Sequence, residues 1–299
     1  MVADVRILFL ADSHIGFDLP IRPRVDRHRR GHDFLANYHA ALQPAMKGEV
    51  DVVVHGGDVF NRSRPLASVA YQALEPLHRL AERGTPVFIV PGNHERSRIP
   101  HARFAAHPNI RIFDCPRTYT IDIRGRRLAF AGFPYERDDV RSRFPELLRE
   151  TKWAAHDASS HVLCMHHCVE GATVGPADFT FTTGSDVIRL RDVPSALSAV
   201  LSGHIHRHQV LTSDLSGRRL STPVLYPGSI ERTSLAEIDE PKGFMIVALR
   251  ANEPTWEFRR LPTRPMIRRE LDVKTTDVEI SEWRRRTNSG LAAQHHLPL

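Results

Sequence analysis

Short apolar runs alternate along the chain with longer stretches whose apolar residues return every three or four positions, the pattern of strands separated by amphipathic helices in an α/β fold. The runs predict strands at Val5–Ala11, Asp51–Val54, Pro86–Val90, Arg127–Ala131, His161–Met165 and Ala199–Ser202. In the helix predicted at Asp33–Met46, Phe34, Leu35, Tyr38, Ala41, Leu42 and Ala45 share one face. In the helix predicted at Ala67–Arg83, Val69, Ala73, Leu77 and Leu80 do the same, and Gly84 follows as a stop. Beyond about residue 210 the helical period fades. Pro223–Ser229 reads as a turn-rich crossing, and Phe244–Leu249 and Thr255–Leu261 read as further strands. The closing stretch SEWRRRTNSGLAAQHHLPL reads as a short helix and a frayed end.

The polar residues that follow these strands change the picture. Val5–Ala11 runs into Asp12-Ser13-His14, Asp51–Val54 into His55-Gly56-Gly57-Asp58, and Pro86–Val90 into Pro91-Gly92-Asn93-His94-Glu95. His161–Met165 runs into His166-His167, and Ala199–Ser202 into Gly203-His204-Ile205-His206. Sites in open α/β sheets are built at the carboxyl ends of strands, so these clusters are expected to converge. Each alone is weak, since Asp-x-His arises by chance and Gly-Asp is a common turn. Together and in this order they point to a metal site rather than to a set of solvated loops. His208, the third histidine of LSGHIHRHQ, has no role in that site and is expected at the surface.

The donor set mixes carboxylates, imidazoles and an Asn carbonyl, which suits Mn²⁺, Fe²⁺ or Zn²⁺ better than Mg²⁺ or Ca²⁺. The ligands exceed the needs of one ion. Two divalent ions sharing a carboxylate would use them, an arrangement suited to in-line attack on phosphorus. Gly57 and Gly92 would let the main chain turn so that Asp58 and Asn93 face the site.

Composition adds limits rather than identity. A hydrophobic share of 41% and a charged share of 25% are those of an ordinary soluble globular protein, and no apolar run approaches bilayer-spanning length. The opening MVADVRILFLADSH lacks a basic leader region and is expected to be a first strand rather than a signal peptide. Three cysteines, an odd number, are expected to stay reduced in a cytoplasmic setting. Cys164 and Cys168 flank His166 and His167 at zinc-like spacing, but Cys164 reads more simply as a buried strand residue. A net charge of +6, carried mostly by Arg, permits a polyanionic partner without establishing one.

The segments DSH, GGD, GNHE, a strand-end His and GHIH, in this order over roughly residues 5–250, resemble the calcineurin-like metallophosphoesterase superfamily. Within it, DSHIG, GDVFNRSRP, ALSAVLSGHIHRHQ, YPGSIERTS and the Arg-rich RHRRGHDFL are similar to the SbcD-like DNA double-strand-break repair nucleases. The resemblance implies two facing mixed β-sheets flanked by helices, a four-layer αββα sandwich. It implies one ion on Asp12, His14, Asp58 and His206, and a second on Asp58, Asn93, His166 and His204, with Asp58 bridging. His94 matches the histidine that stands beside the metals without binding them. Three positions depart from the pattern: Glu95 replaces an Asp, Asn61 replaces a frequent Asp, and His167 leaves open which of the histidine pair is the ligand, with His166 favoured.

The expected activity is a Mn²⁺-dependent phosphodiester hydrolase, a DNA exonuclease or endonuclease of DNA repair, with His94 as general acid to the leaving oxygen. The same chemistry on a small phosphodiester or phosphomonoester is the first rival, and a metal-bound scaffold without catalysis is the second. Arg29, Arg30 and Arg64 are candidate phosphate contacts. A catalytic domain is expected over residues 1–262 and a reduced cap-like segment over 263–299. That segment is too short for an independent core, so stable docking of an SbcC-like ATPase is not expected. No membrane association is expected.

Overall fold

In the computed structural model, which describes residues 4–18, 29–96, 98–250 and 253–268, the first apolar run forms β1 (Val5–Leu10) and its side chains divide by parity. Val5, Ile7 and Phe9 enter a core shared by two sheets, whereas Leu8 and Leu10 pack with helical residues. A strand buried on both faces reads as a nearly continuous apolar run, and in β1 the run is interrupted only by half-buried Arg6.

The chain continues through α1 (Gly31–Met46), β2 (Val52–His55), α2 (Ala67–Glu82), β3 (Val87–Ile89), β4 (Ile110–Ile112), β5 (Arg117–Ile123), β6 (Arg126–Gly132), α3 (Val140–Glu150) and β7 (Ser160–Met165). Four two-residue strands follow: β8 (Cys168–Val169), β9 (Thr173–Val174), β10 (Phe179–Thr180) and β11 (Val187–Ile188). The described elements end with β12 (Ala199–Ser202), β13 (Gln209–Ser213), β14 (Arg219–Tyr226), β15 (Gly243–Leu249) and β16 (Thr255–Arg260).

One six-stranded sheet has the order β16-β15-β1-β2-β3-β4 and the other β13-β14-β12-β7-β6-β5. Each has a parallel centre with antiparallel strands at its margins: β1–β2–β3–β4 and β6–β7–β12–β14 run parallel, while β15, β16, β5 and β13 pair antiparallel. The sheets face each other across Phe9, Val54, Phe88, Phe130, Cys164 and Leu201, with Phe88 stacked on Phe130 at 4.4 Å between ring centroids. Truncating one such Phe to Ala costs about 3–5 kcal/mol in a packed core. A second cluster joins the first sheet to α1 and α2, and a third joins the second sheet to α3. The result is the four-layer αββα sandwich.

Three readings change. Pro223–Tyr226 lies inside β14 rather than in a turn-rich crossing. Pro223 is tolerated because pairing with β12 begins only at Val224, and the ladder to β13 shifts register between Leu211 and Ser213. α3 and β5 escaped notice. α3 buries Val140, Phe144, Leu147 and Leu148, a stripe broken in sequence by Pro145 and charged neighbours. β5 is a half-exposed edge strand whose only buried side chain is Ile121. Cys164 lies buried in β7, and all three cysteines are free.

The chain divides into compact units Met1–Arg264 and Pro265–Leu299. Only residues 265–268 of the second are described, so the terminal helix lies outside the described residues. Among the described residues, no helix is long and apolar enough to cross a membrane.

Candidate metal centre

The loops that leave β1 and β2 are zipped together by their main chains. Asp12 N donates to Gly57 O at 2.9 Å, His14 N to Asp58 O at 3.0 Å and Ile15 N to Val59 O at 2.8 Å. These main-chain bonds bring Asp12 and His14 beside Asp58. The second sheet is tied in by His166, whose Nδ1 lies 2.7 Å from Gly56 O, and by His204 N, which donates to Asp12 Oδ2 at 3.1 Å. Backbone strain accompanies the convergence: Asp12, His14, Asp58 and His204 have φ of 51°, 44°, 51° and 81°. Such left-handed conformations at non-glycine residues concentrate at functional sites.

The ligand atoms of Asp12, His14 and His206 lie within 4.8 Å of one another, as do those of Asp12, Asp58 and His166, and those of His14, Asp58 and His94. Asp58 Oδ2 is central, 3.4 Å from His166 Nε2, 3.8 Å from His94 Nε2 and 4.0 Å from His14 Nε2. Asn93 Oδ1 sits between two imidazoles, 3.0 Å from His166 Nε2 and 3.1 Å from His204 Nδ1. His206 Nε2 faces His14 Nε2 at 3.0 Å. His167 turns the other way: its Nε2 accepts from Glu136 N at 3.1 Å, and its ring stacks on Tyr135 at 4.8 Å.

The donor set fits divalent cations. His166 Nδ1 is committed to a carbonyl, so Nε2 points an electron pair or a proton at two acceptors, Asp58 Oδ2 and Asn93 Oδ1. Burial opposes charge on His166, but Asp58 and then Asp12 outweigh it and push the imidazole up to about 9. The same field would favour a cation. Burial likewise opposes ionisation of Asp58, yet His166, His14 and His94 hold its carboxyl well below the usual range. Asp12 is raised by burial against the pull of His166 and His206. His14 is held well below its ordinary value by burial and by His206, and His204 is pushed down to about 3 by burial and by His166. His14 and His204 are thus held as neutral imidazoles, the form that binds metal.

His94 stands apart from the main group. Its main-chain N–H donates to Asp58 Oδ1 at 2.9 Å, and its ring Nδ1 lies 2.8 Å from Asn61 O. The ring is a third exposed, unlike the buried His166.

Several supports escaped the sequence reading. Glu95 is buried, and its carboxylate accepts from Asp58 N at 3.0 Å, Phe60 N at 2.8 Å and Gly92 N at 2.7 Å. The departure from Asp therefore retains a part in orienting Asp58. Burial, reinforced by Asp58, pushes Glu95 up to about 8. His55, in the strand-end cluster but outside the ligand set, bridges Ser13 Oγ at 2.9 Å and Gly57 N at 3.3 Å. Glu237 meets His206 Nδ1 at 3.2 Å from thirty-one positions away, a separation no local motif reveals. His208 is half-buried rather than a free surface residue, stacked on Phe258 at 3.9 Å.

The arginine candidates divide. Arg29 pairs with Asp18 at 2.9 Å and Arg30 with Glu231 at 3.2 Å, so each guanidinium has a carboxylate partner instead of an open phosphate position. Arg64 is exposed and lines a cavity of about 370 Å³ with Ile15, Asn61, Arg62 and Leu66. The rest of the Arg-rich stretch, 19–28, lies outside the described residues.

Comparison with known proteins places this geometry. Residues 5–208 match the family model described as calcineurin-like phosphoesterase. The DNA double-strand break repair protein Mre11 of Thermoplasma acidophilum is 24% identical over 290 residues, covering 92% of this chain and 70% of that protein. Mre11 of Haloferax volcanii is 30% identical over 269 residues, 90% of this chain and 55% of that protein. The uncharacterized metallophosphoesterase YhaO of Bacillus subtilis is 24% identical, covering 87% of this chain and 61% of that one. The chain thus spans between about half and two thirds of the length of most of these relatives. Among solved structures, calcineurin-like phosphoesterase YfkN from Bacillus subtilis superposes with a TM-score of 0.51 at 13% identity, covering 86% of this chain and 88% of that one. TT1561 of Thermus thermophilus gives 0.53 at 13% identity, covering 86% and 99%. These two likenesses concern the fold alone. With the sandwich, the strand-end cluster and the family match in agreement, the chain belongs to the calcineurin-like phosphoesterase family and is a metal-dependent phosphoesterase.

Proposed function

We propose that the chain is a dinuclear-metal phosphodiester hydrolase that cuts DNA in double-strand-break repair, working with Mn²⁺. Asp12, His14, Asp58 and His206 would hold one ion, and Asp58, Asn93, His166 and His204 the other. Bound ions would supply water activation and neutralise phosphate charge. The chain's own residues supply the rest. Asp58 is the shared ligand, set by Glu95 through its main-chain N–H. His94 donates a proton to the leaving oxygen from Nε2.

The placement of His94 carries this reading. Its Nδ1 is engaged by Asn61 O while Nε2 lies 3.8 Å from the central carboxylate and remains partly open, the position of an acid rather than of a buried ligand. DNA as substrate is supported by the Mre11 relatives and by the exposed Arg62 and Arg64 beside Asn61. In this reading Arg29 and Arg30 shape the rim through Asp18 and Glu231, and phosphate contact falls mainly to Arg62 and Arg64. The catalytic domain over residues 1–262 carries the reaction.

Purified protein assayed with Mn²⁺ on linear duplex DNA, on single-stranded DNA and on bis-p-nitrophenyl phosphate tests the reading. Cleavage of DNA without ATP, falling steeply with salt, is expected. Hydrolysis of the small diester with no DNA cleavage would replace it with a small-substrate phosphodiesterase, and inactivity on both with metal bound would leave a scaffold.

A further inference from the structure

Behind His206, on the side away from Asp12, lies a buried polar cage. Glu237 Oε1 is 3.2 Å from His206 Nδ1. Thr233 Oγ1 donates to that same oxygen at 2.6 Å and lies 3.3 Å from the ring nitrogen. Glu237 Oε2 is 2.6 Å from Lys242 Nζ. Lys242 is 1% exposed, and its Nζ also donates to His206 O at 2.9 Å and to Glu240 Oε2 at 3.2 Å. One lysine therefore grips both the carboxylate that holds the ring and the main chain that carries it. The outer members are tied as well: Arg207 Nε donates to Glu240 Oε1 at 3.0 Å, and Arg232 Nε to Glu237 O at 3.0 Å.

We infer that Glu237 and Lys242 are positioning residues that lock His206 in the tautomer with hydrogen on Nδ1, so that the Nε2 lone pair is pre-aimed at the Asp12–His14 side of the centre. The inference rests on the dinuclear reading above. Its logic is donor counting. A carboxylate only accepts, so a hydrogen bond to Glu237 requires the hydrogen on Nδ1. The bare Nε2 then faces His14 Nε2 at 3.0 Å and Asp12 Oδ1 at 3.9 Å. Carboxylates that fix the far nitrogen of a metal-binding imidazole set its orientation and raise its basicity. A buried Lys–Glu pair is a poor source of stability compared with apolar residues of similar size, so its presence here is better accounted for by what it orients.

Removing one partner alone would strand the other's buried charge, so the informative variant is the double change Glu237→Met with Lys242→Met. Calorimetric titration with Mn²⁺ should show one of two ions bound about 10–100-fold more weakly, with the other little changed and the melting temperature near that of the wild type. Wild-type affinity for both ions in the double variant would overturn the inference. Long-range proton–nitrogen NMR on the wild-type, metal-free, ¹⁵N-histidine-labelled chain, at a pH where His206 is neutral, gives an answer even if the variant fails to fold: hydrogen on Nδ1 of His206 supports the cage, and hydrogen on Nε2 overturns it. A wild-type chain that binds neither Mn²⁺ nor Zn²⁺ would overturn the dinuclear reading itself, and this inference with it.

Discussion

His94 Nδ1 lies 2.8 Å from the main-chain oxygen of Asn61, thirty-three positions earlier in the chain. Asn61 stands on the loop that also carries Asp58, so the ring is held by the backbone beside that carboxylate whatever the Asn61 side chain does. The first prediction follows. His94→Ala should retain its metals and lose DNA cleavage by about 10²–10⁴-fold. An aryl diester, whose leaving group needs little protonation, should suffer less. Equal losses on the two substrates would assign His94 to positioning instead of acid catalysis.

Asp58 Oδ2 lies within 4.0 Å of three imidazoles, and in the proposed assignment Asp58 serves both ions whereas His14 serves one. Asp58→Ala should lose both ions or nearly so in elemental analysis, and His14→Ala should weaken mainly one. Retention of both ions by Asp58→Ala would remove it from the bridging role.

Gly57 offers a way to disturb the centre without touching a ligand. Its φ is 105°, and a Cβ there would sit 2.3 Å from His166 Nδ1. Gly57→Ala should displace the His166 ring from Gly56 O and lower Mn²⁺ affinity by at least about tenfold, in a chain that still folds. Unchanged affinity, read by calorimetry, would mean that the loop can shift freely.

His55 gives a pH prediction for the metal-free chain. Burial, and then the charge of His166, push it down to about 3. Its folded value lies below the ordinary one near 6.5, so the folded state binds fewer protons. The associated stability is complete above pH 6.5 and is lost as pH falls toward 3, at up to about 1.4 kcal/mol per pH unit. Glu95, pushed up to about 8, acts in the opposite sense, its contribution fading as pH rises. A comparison with His55→Gln separates the two. Between pH 6.5 and 5, urea unfolding in EDTA should show the wild type losing about 2 kcal/mol more than the variant. Parallel losses would contradict a neutral His55.

The strands β1, β2, β3, β7 and β12 were legible because they are buried on both faces and so read as largely apolar runs, each followed by a turn. The convergence of Asp12, Asp58, Asn93, His166 and His204 was legible for a topological reason, since parallel strands place their carboxyl ends together. What stayed hidden depends on pairs distant in sequence. Glu237 and Lys242 sit in a stretch without regular period, and their partners, the ring and the main-chain oxygen of His206, lie thirty-one and thirty-six positions earlier. Arg29 and Arg30 looked free because their partners, Asp18 and Glu231, could be matched to them only in three dimensions.

The left-handed backbone at Asp12, His14, Asp58 and His204 has an evolutionary corollary. Each position asks for a residue that folding, left to itself, would not choose: glycine would adopt these angles freely, at a relief of about 1–3 kcal/mol apiece. A selection that scored only yield of folded protein would drift toward glycine there and erase the centre while the chain appeared to improve. Stabilising substitutions at these four places are therefore a warning sign in any library screened by melting temperature, and their rejection under selection for turnover would mark where this chain trades robustness for chemistry.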